Sequence, residues 1–165
     1  MTALSLPTIV VGTDGACTGN PGPTGWAYIC ADGRWRSGGQ PRGTNQIGEL
    51  MAVLWALTDF SDVPLEIESD STYAIGCSTT WKAGWQRINY QRAKPLSNLD
   101  IIRPIHSMLD ARRHPVTFTK VKGHHADPLK HPLNVIADEL ATGAVQIAKR
   151  ARAAVDQSGL RVMAG

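Results

Sequence analysis

Residues 44–60 read Thr44-Asn45-Gln46-Ile47-Gly48-Glu49-Leu50-Met51-Ala52-Val53-Leu54-Trp55-Ala56-Leu57-Thr58-Asp59-Phe60. Here the period of the apolar residues changes. Ile47, Leu50, Met51, Leu54, Leu57 and Phe60 recur at helical spacing, and Thr44 or Asn45 is a suitable N-cap. Upstream the chain reads as strands. Thr8–Thr13 is β-rich and stops at the turn signal Asp14-Gly15, Gly15–Gly25 is a Gly/Pro-rich loop, and Trp26–Cys30 and Arg34–Gly38 complete an antiparallel meander.

Downstream, strand and helix alternate. Pro64–Ser69 is a strand ending at Asp70, Ser71–Cys77 a short helix and Asn98–Arg112 a longer one. Val116–Val121 is again a strand, and Leu133–Ala148 carries a closing helix after a loop rich in His and Pro. Three strands followed by alternating helices and strands define an α/β fold with a mixed sheet covered by helices. At 165 residues with no linker or repeat, residues 1–157 are expected to form one domain, with 158–165 as a flexible tail.

Several classes are excluded by composition. No apolar run approaches the roughly 20 residues that span a bilayer, and Met1–Pro7 lacks the basic start of an export signal, so the cytoplasm is expected. Cys17, Cys30 and Cys77 are too scattered for a C-x-x-C site and too few for a disulfide framework. His124, His125 and His131 have no neighbouring Cys and read as solvated rather than zinc-binding. The glycine loop leads into a strand and contains prolines, so it is no dinucleotide cradle, and no phosphate-loop motif occurs. A nucleotide cofactor is therefore not expected.

Formal net charge is +3, but its distribution matters more. Between Ser71 and Leu99 there is no acid, while Lys82, Arg87, Arg92 and Lys94 alternate with Trp81, Trp85 and Tyr90. Cations interleaved with aromatics suit a nucleic-acid strand, whose phosphates take the charge and whose bases or sugars pack on the rings. A solvated loop anchored by tryptophans has the same pattern.

Four acids fall at strand or helix ends: Asp14, Glu49, Asp70 and Asp138. Each has a plain structural use. Asp14 before Gly15 makes a turn, Asp70 before Ser71 caps a helix, Glu49 sits on a helix surface and Asp138 pairs with a basic neighbour. Jointly they suit another role. If the first and fourth strands are parallel neighbours, Asp14 and Asp70 meet at their carboxyl ends, and Glu49 and Asp138 reach in from helices. Such hard oxygen ligands are what Mg²⁺ takes, and two ions could serve phosphodiester chemistry.

These acids lie in four blocks that resemble, in order, the motifs of type 1 ribonucleases H. They are Thr13-Asp14-Gly15 with Gly19–Pro23, Thr44–Ala52, Ser69–Tyr73, and Val121-Lys122-Gly123-His124 with His131–Asn134 and Ala137–Ala141. The resemblance covers Thr8 to Ala144. It implies a ribonuclease H-like fold with a five-stranded mixed sheet flanked by helices. It also implies an endoribonuclease cutting the RNA strand of RNA–DNA hybrids, leaving 5′-phosphate and 3′-hydroxyl ends. Asp14, Glu49, Asp70 and Asp138 would hold two Mg²⁺ ions, with Mn²⁺ as a substitute, and His124 would assist water activation or product release. Gly15, Ala16, Asn20, Asn45, Gln46, Thr72 and Asn134 would meet the hybrid, chiefly its RNA strand. Thr44, Trp81 and Trp85 would face the DNA, with Lys82, Arg87, Arg92 and Lys94 on a basic protrusion. A monomer is expected. Gln46 and Thr72 depart from the commonest family residues, and the loop from His124 to Asn134 is longer. A hybrid-binding module without catalysis and an integrase-like polynucleotidyl transferase are the competing readings.

Overall fold

The computed structural model describes residues 5–123 and 127–163. The elements are β1 (Ile9–Cys17), β2 (Gly22–Cys30), β3 (Arg34–Gly43), α1 (Asn45–Asp59), β4 (Leu65–Ser69), α2 (Thr72–Ser78), α3 (Lys82–Arg87), α4 (Leu99–Ala111), β5 (Val116–Lys120), α5 (Pro132–Ala151) and β6 (Val155–Leu160). The strands form one mixed sheet in the order β5-β4-β1-β2-β3-β6. β1, β4 and β5 are parallel, and β2, β3 and β6 extend the sheet antiparallel from β1.

Period-2 alternation decides what each face of the sheet buries. Val11, Tyr28, Leu65 and Ile67 pack with Leu50, Val53 and Leu57 of α1 and Ile101, Ile102 and Ile105 of α4. Val10, Ile29 and Trp35 meet Leu133, Ala137 and Leu140 of α5. A stripe of Ala137, Ala141, Ala144 and Ala148 lets α5 lie close on the sheet, where a Cβ at Gly39 would meet the Ala144 carbonyl oxygen at 2.9 Å. Thr44 caps α1, its hydroxyl accepting from the Ile47 amide at 3.1 Å. Arg112 closes the other end of α1 by donating to the carbonyls of Leu57, Phe60 and Val63. Among the described residues, no helix is long and apolar enough to cross a membrane.

Three expectations need correction. The sheet has six strands, not five, because Val155–Leu160 pairs with β3 from Arg34↔Leu160 to Gly39↔Val155. Local sequence hides this strand: its residues are mostly exposed, and it is held by distant partners. Asp156 grips Arg36 at 2.6 Å, and Gly159 lies beneath the Trp35 indole, where a Cβ would meet Nε1 at 2.9 Å. The first strand also does not end at Asp14. It pairs with β2 as far as Cys17↔Thr24, so the Gly15–Gly25 loop shrinks to a turn around Gly19 and Asn20, both at positive φ. Finally, Lys82–Arg87, within the segment read either as a basic protrusion or as a solvated loop, is a short helix.

Candidate active site

The parallel register of β1 and β4 runs from Ile9↔Leu65 to Thr13↔Ser69. One step further puts Asp14 beside Asp70, at the carboxyl end of the parallel pair. α1 is drawn onto this end by two glycines: a Cβ on Gly15 would meet the Gly48 carbonyl carbon at 2.5 Å, and one on Gly48 the Gly25 oxygen at 2.6 Å. That contact delivers Glu49 to the strand ends, and α5 delivers Asp138 one turn after Asn134. All four acids line one cleft of about 270 Å³, with Gly15, Ala16, Cys17, Asn45 and Thr142.

For Asp70 and Asp14 the plain structural uses do not hold. The cap of α2 is the Ser71 hydroxyl, which accepts from the Ala74 amide at 2.9 Å, leaving Asp70 free of that task. Ser71 also donates a short hydrogen bond to Glu49 Oε2. Asp14 makes no turn; its Oδ1 accepts from the Gly15 amide at 2.9 Å within a continuing strand. Burial, then the charges of Asp70 and Asp138, push the Asp14 carboxyl from 3.8 up to about 9. Burial raises Glu49 as well, against the Ser71 bond and with the Asp70 charge adding to the rise.

Asp14 and Glu49, which resist ionisation, belong to a donor set short of positive charge. Lys120 partly relieves Glu49, but its Nζ donates to the Asp70 main-chain oxygen at 2.5 Å. Among the described residues, no three acidic, imidazole or thiol groups are already gathered as ligands of one ion. The four side chains line the cleft, with Asp14 and Asp138 close enough to share a hydrogen bond. A divalent cation fits this set: the donors are all hard oxygens, and a positive charge is what Asp14 lacks.

A second cavity, of about 380 Å³, opens on the other side of the first turn of α1. It is lined by Gln46, Tyr73, Trp81, Trp85, Arg92, Lys94 and Pro95–Ser97. Consecutive residues divide the two spaces, Asn45 facing the cleft and Gln46 the groove. Trp81 is 40% exposed and its ring centroid lies 5.6 Å from that of Trp85, giving a stepped aromatic wall opposite the exposed Arg92 and Lys94.

An RNase H family model matches residues 7–146 of the sequence. Ribonuclease HI of Streptomyces coelicolor is 41% identical over 155 residues, covering 88% of this chain and 65% of that relative. Ribonuclease H of Tropheryma whipplei is 39% identical and covers 81% of each. The chain belongs to the RNase H family. The type 1 branch is the one its bacterial relatives occupy, and it is accordingly a ribonuclease H, a phosphodiester hydrolase. Among solved structures, LC9-RNase H1, a type 1 RNase H with the type 2 active-site motif, superposes with a TM-score of 0.75 at 22% identity, covering 94% of this chain and 80% of that one. LC11-RNase H1, solved in complex with an RNA/DNA hybrid, gives 0.61 at 22% identity over 85% and 98% of the two chains. Both likenesses concern the fold.

Against that family frame, the expected contact residues divide. Thr72, Asn45 and Gln46 are exposed beside the cleft and groove. Asn20 uses its Oδ1 to accept from the Asn45 amide at 3.0 Å, bracing the entry to α1. Lys82 is held by Asp110 at 2.5 Å, and Arg87 lines neither cavity. Asn134 is buried at the start of α5, with Oδ1 unpaired among the described residues. His124 and His125 lie outside the described residues. Sequence reasoning missed Ser71, Thr142 and the Tyr73 and Pro95–Ser97 walls. Thr142, four residues after Asp138 on the same helix face, was the one detectable by spacing.

Proposed function

We propose that the protein is an endonuclease that hydrolyses the RNA strand of RNA–DNA hybrids, with Asp14, Glu49, Asp70 and Asp138 holding two Mg²⁺ ions. The observation that carries this reading is the adjacency of the acidic cleft and the aromatic, cationic groove across Asn45–Gln46. One space suits a scissile phosphate with its ions, and the other a second strand running alongside.

When bound, the ions would supply charge neutralisation at the phosphate and a more acidic water. The chain's own residues do the rest. Glu49, fixed by Ser71, and Asp14, fixed by the Gly15 amide, present oriented carboxylate oxygens from rigid elements. The Gly15–Ala16 edge and Asn45 offer polar partners at the RNA strand, whose 2′-hydroxyls in a wide minor groove distinguish it without sequence reading. Trp81 and Trp85 provide stacking faces, and Arg92 and Lys94 meet phosphates of the DNA strand. Products with 5′-phosphate and 3′-hydroxyl ends, His124 assisting proton transfer or release, action as a monomer and a cytoplasmic setting belong to the same proposal.

Labelled RNA–DNA hybrid, duplex DNA and duplex RNA, each incubated with and without Mg²⁺, test it. Cleavage confined to the RNA of the hybrid and dependent on Mg²⁺ is expected. Binding without cleavage would favour a hybrid-binding module, and strand joining an integrase-like transferase.

A further inference from the structure

His106 is 1% exposed on α4, beneath the groove wall. Its Nε2 lies 2.8 Å from the Cys77 carbonyl oxygen. A carbonyl only accepts, so Nε2 carries the proton, and Nδ1 is left to accept from the Tyr90 hydroxyl at 2.8 Å. Burial holds the imidazole below its ordinary range, in keeping with this neutral form. The same ring stacks with Tyr90 at 5.6 Å between centroids and with Trp85 at 6.4 Å. One side chain thus ties together α2, α3 and Tyr90, three residues beyond α3.

That residue is held in an unusual conformation. Asn89 and Tyr90 stand in succession at φ 51° and 60°, and a bulky aromatic persists there only when its surroundings over-determine it. They do. The Tyr90 amide donates to the Trp85 carbonyl at 2.7 Å, the Arg103 guanidinium lies 4.7 Å from the ring centroid, and His106 takes the hydroxyl. From this turn the chain runs directly into Arg92, Lys94 and Pro95–Ser97, the groove wall facing Trp81 and Trp85.

We infer that His106 is a positioning residue for substrate binding: by fixing Tyr90 in its left-handed turn and backing Trp85, it sets the width of the groove that receives the hybrid. The inference rests on the reading of that groove as the place where the DNA strand is gripped. His106 touches no substrate, so its loss acts on affinity and not on the chemical step.

The test compares Tyr90→Phe, His106→Leu and His106→Gln in the full chain, with KM, kcat and Tm measured on a labelled hybrid in Mg²⁺. Tyr90→Phe removes one hydrogen bond and nothing else; it is expected to raise KM about fivefold with kcat within about twofold of the parent. His106→Leu should do the same or more. His106→Gln keeps a donor for Cys77 and an acceptor for Tyr90, and should restore KM. A merely structural role would lower Tm and leave KM of the folded enzyme unchanged. Arg92→Ala/Lys94→Ala is the control for the groove itself. If it raises KM while Tyr90→Phe and His106→Leu do not, the positioning role is overturned and the groove reading stands. If none of them moves KM, the groove reading fails and takes this inference with it.

Discussion

Gly123 abuts the carboxylate of Asp70: a Cβ at residue 123 would fall on Oδ2 and within 2.8 Å of the carboxyl carbon. The glycine is therefore part of the geometry of the acid. β5 carries the chain past the Asp70 strand end, with the Val121 amide bonded to the Ser69 carbonyl at 2.9 Å, so residue 123 has little room to retreat. Gly123→Ala is expected to swing Asp70 off the cleft and reduce Mg²⁺-dependent cleavage by about 10²-fold, the scale of a 1 Å misplacement. Circular dichroism should show the fold intact. Wild-type kcat in that variant would mean that Asp70 needs no fixed position.

The four cations of the protrusion are not equivalent. Lys82 is neutralised by Asp110 at 2.5 Å, whereas Arg92 and Lys94 line the groove exposed. Replacing Arg92 and Lys94 by Ala should weaken hybrid binding and flatten its salt dependence by up to about two phosphate contacts, each worth about 0.9 in slope on B-form DNA. Lys82→Ala should change the slope far less. Binding titrations over a range of salt concentrations separate the two, and an equal effect from Lys82 would show that its ion pair opens on binding.

Stability should also report His106 on the acid side. Its folded value lies below 6.5 because burial disfavours the charged ring, with Lys82 adding to that effect and Asp110 and the Cys77 carbonyl opposing it. As pH falls through 6.5 the unfolded chain takes a proton that folded His106 refuses, so stability is lost toward lower pH. His106→Gln should flatten this part of the profile. Urea melts between pH 7.5 and 5 would show it as a shrinking difference between the two proteins, and parallel curves would count against a buried neutral imidazole.

Much of this is legible in the sequence. The alternation in Val10–Val11, Leu65 and Ile67 and the helical spacing from Ile47 to Phe60 are local signals of long-range burial, so the parallel core and α1 could be read directly. The acids were legible because their sequence neighbours are distinctive, though only the register of β1 on β4 shows why Asp14 and Asp70 meet. β6 was hidden because Asp156 and Gly159 matter through Arg36 and Trp35, more than a hundred residues away. Asn134 looked like a contact residue, yet the packing of α5 buries it. His106 gave no signal, since its partners Cys77 and Tyr90 lie on other segments and no spacing rule links them.

The charge state of the cleft gives the sharpest test of the metal reading. Without ions, burial and the facing charges of Asp70 and Asp138 disfavour the ionised form of Asp14, which raises its folded value to about 9 against 3.8 for the free side chain. Between those values the unfolded chain has released a proton that the folded chain retains. Stability therefore falls as pH rises through that window and levels off above it. Asp14→Asn removes the cost of protonating this carboxyl on folding and keeps an oxygen for the Gly15 amide, so in EDTA at pH 8 it should be more stable than the parent, by about 2 kcal/mol once the desolvation of the amide is allowed for. Its stability should also be flatter with pH. Mg²⁺ should raise the Tm of the parent more than that of the variant, because an ion bound only by the folded state stabilises in proportion to its affinity. Cleavage by the variant should fall to background. If Asp14 were a structural residue, the signs would reverse: Asn would lower stability in EDTA, Mg²⁺ would act equally on both proteins, and activity would survive. Thermal melts in EDTA and in Mg²⁺ at pH 6 and pH 8, beside a hybrid cleavage assay, distinguish these outcomes, and a destabilised but active Asp14→Asn protein would remove the cleft from the mechanism.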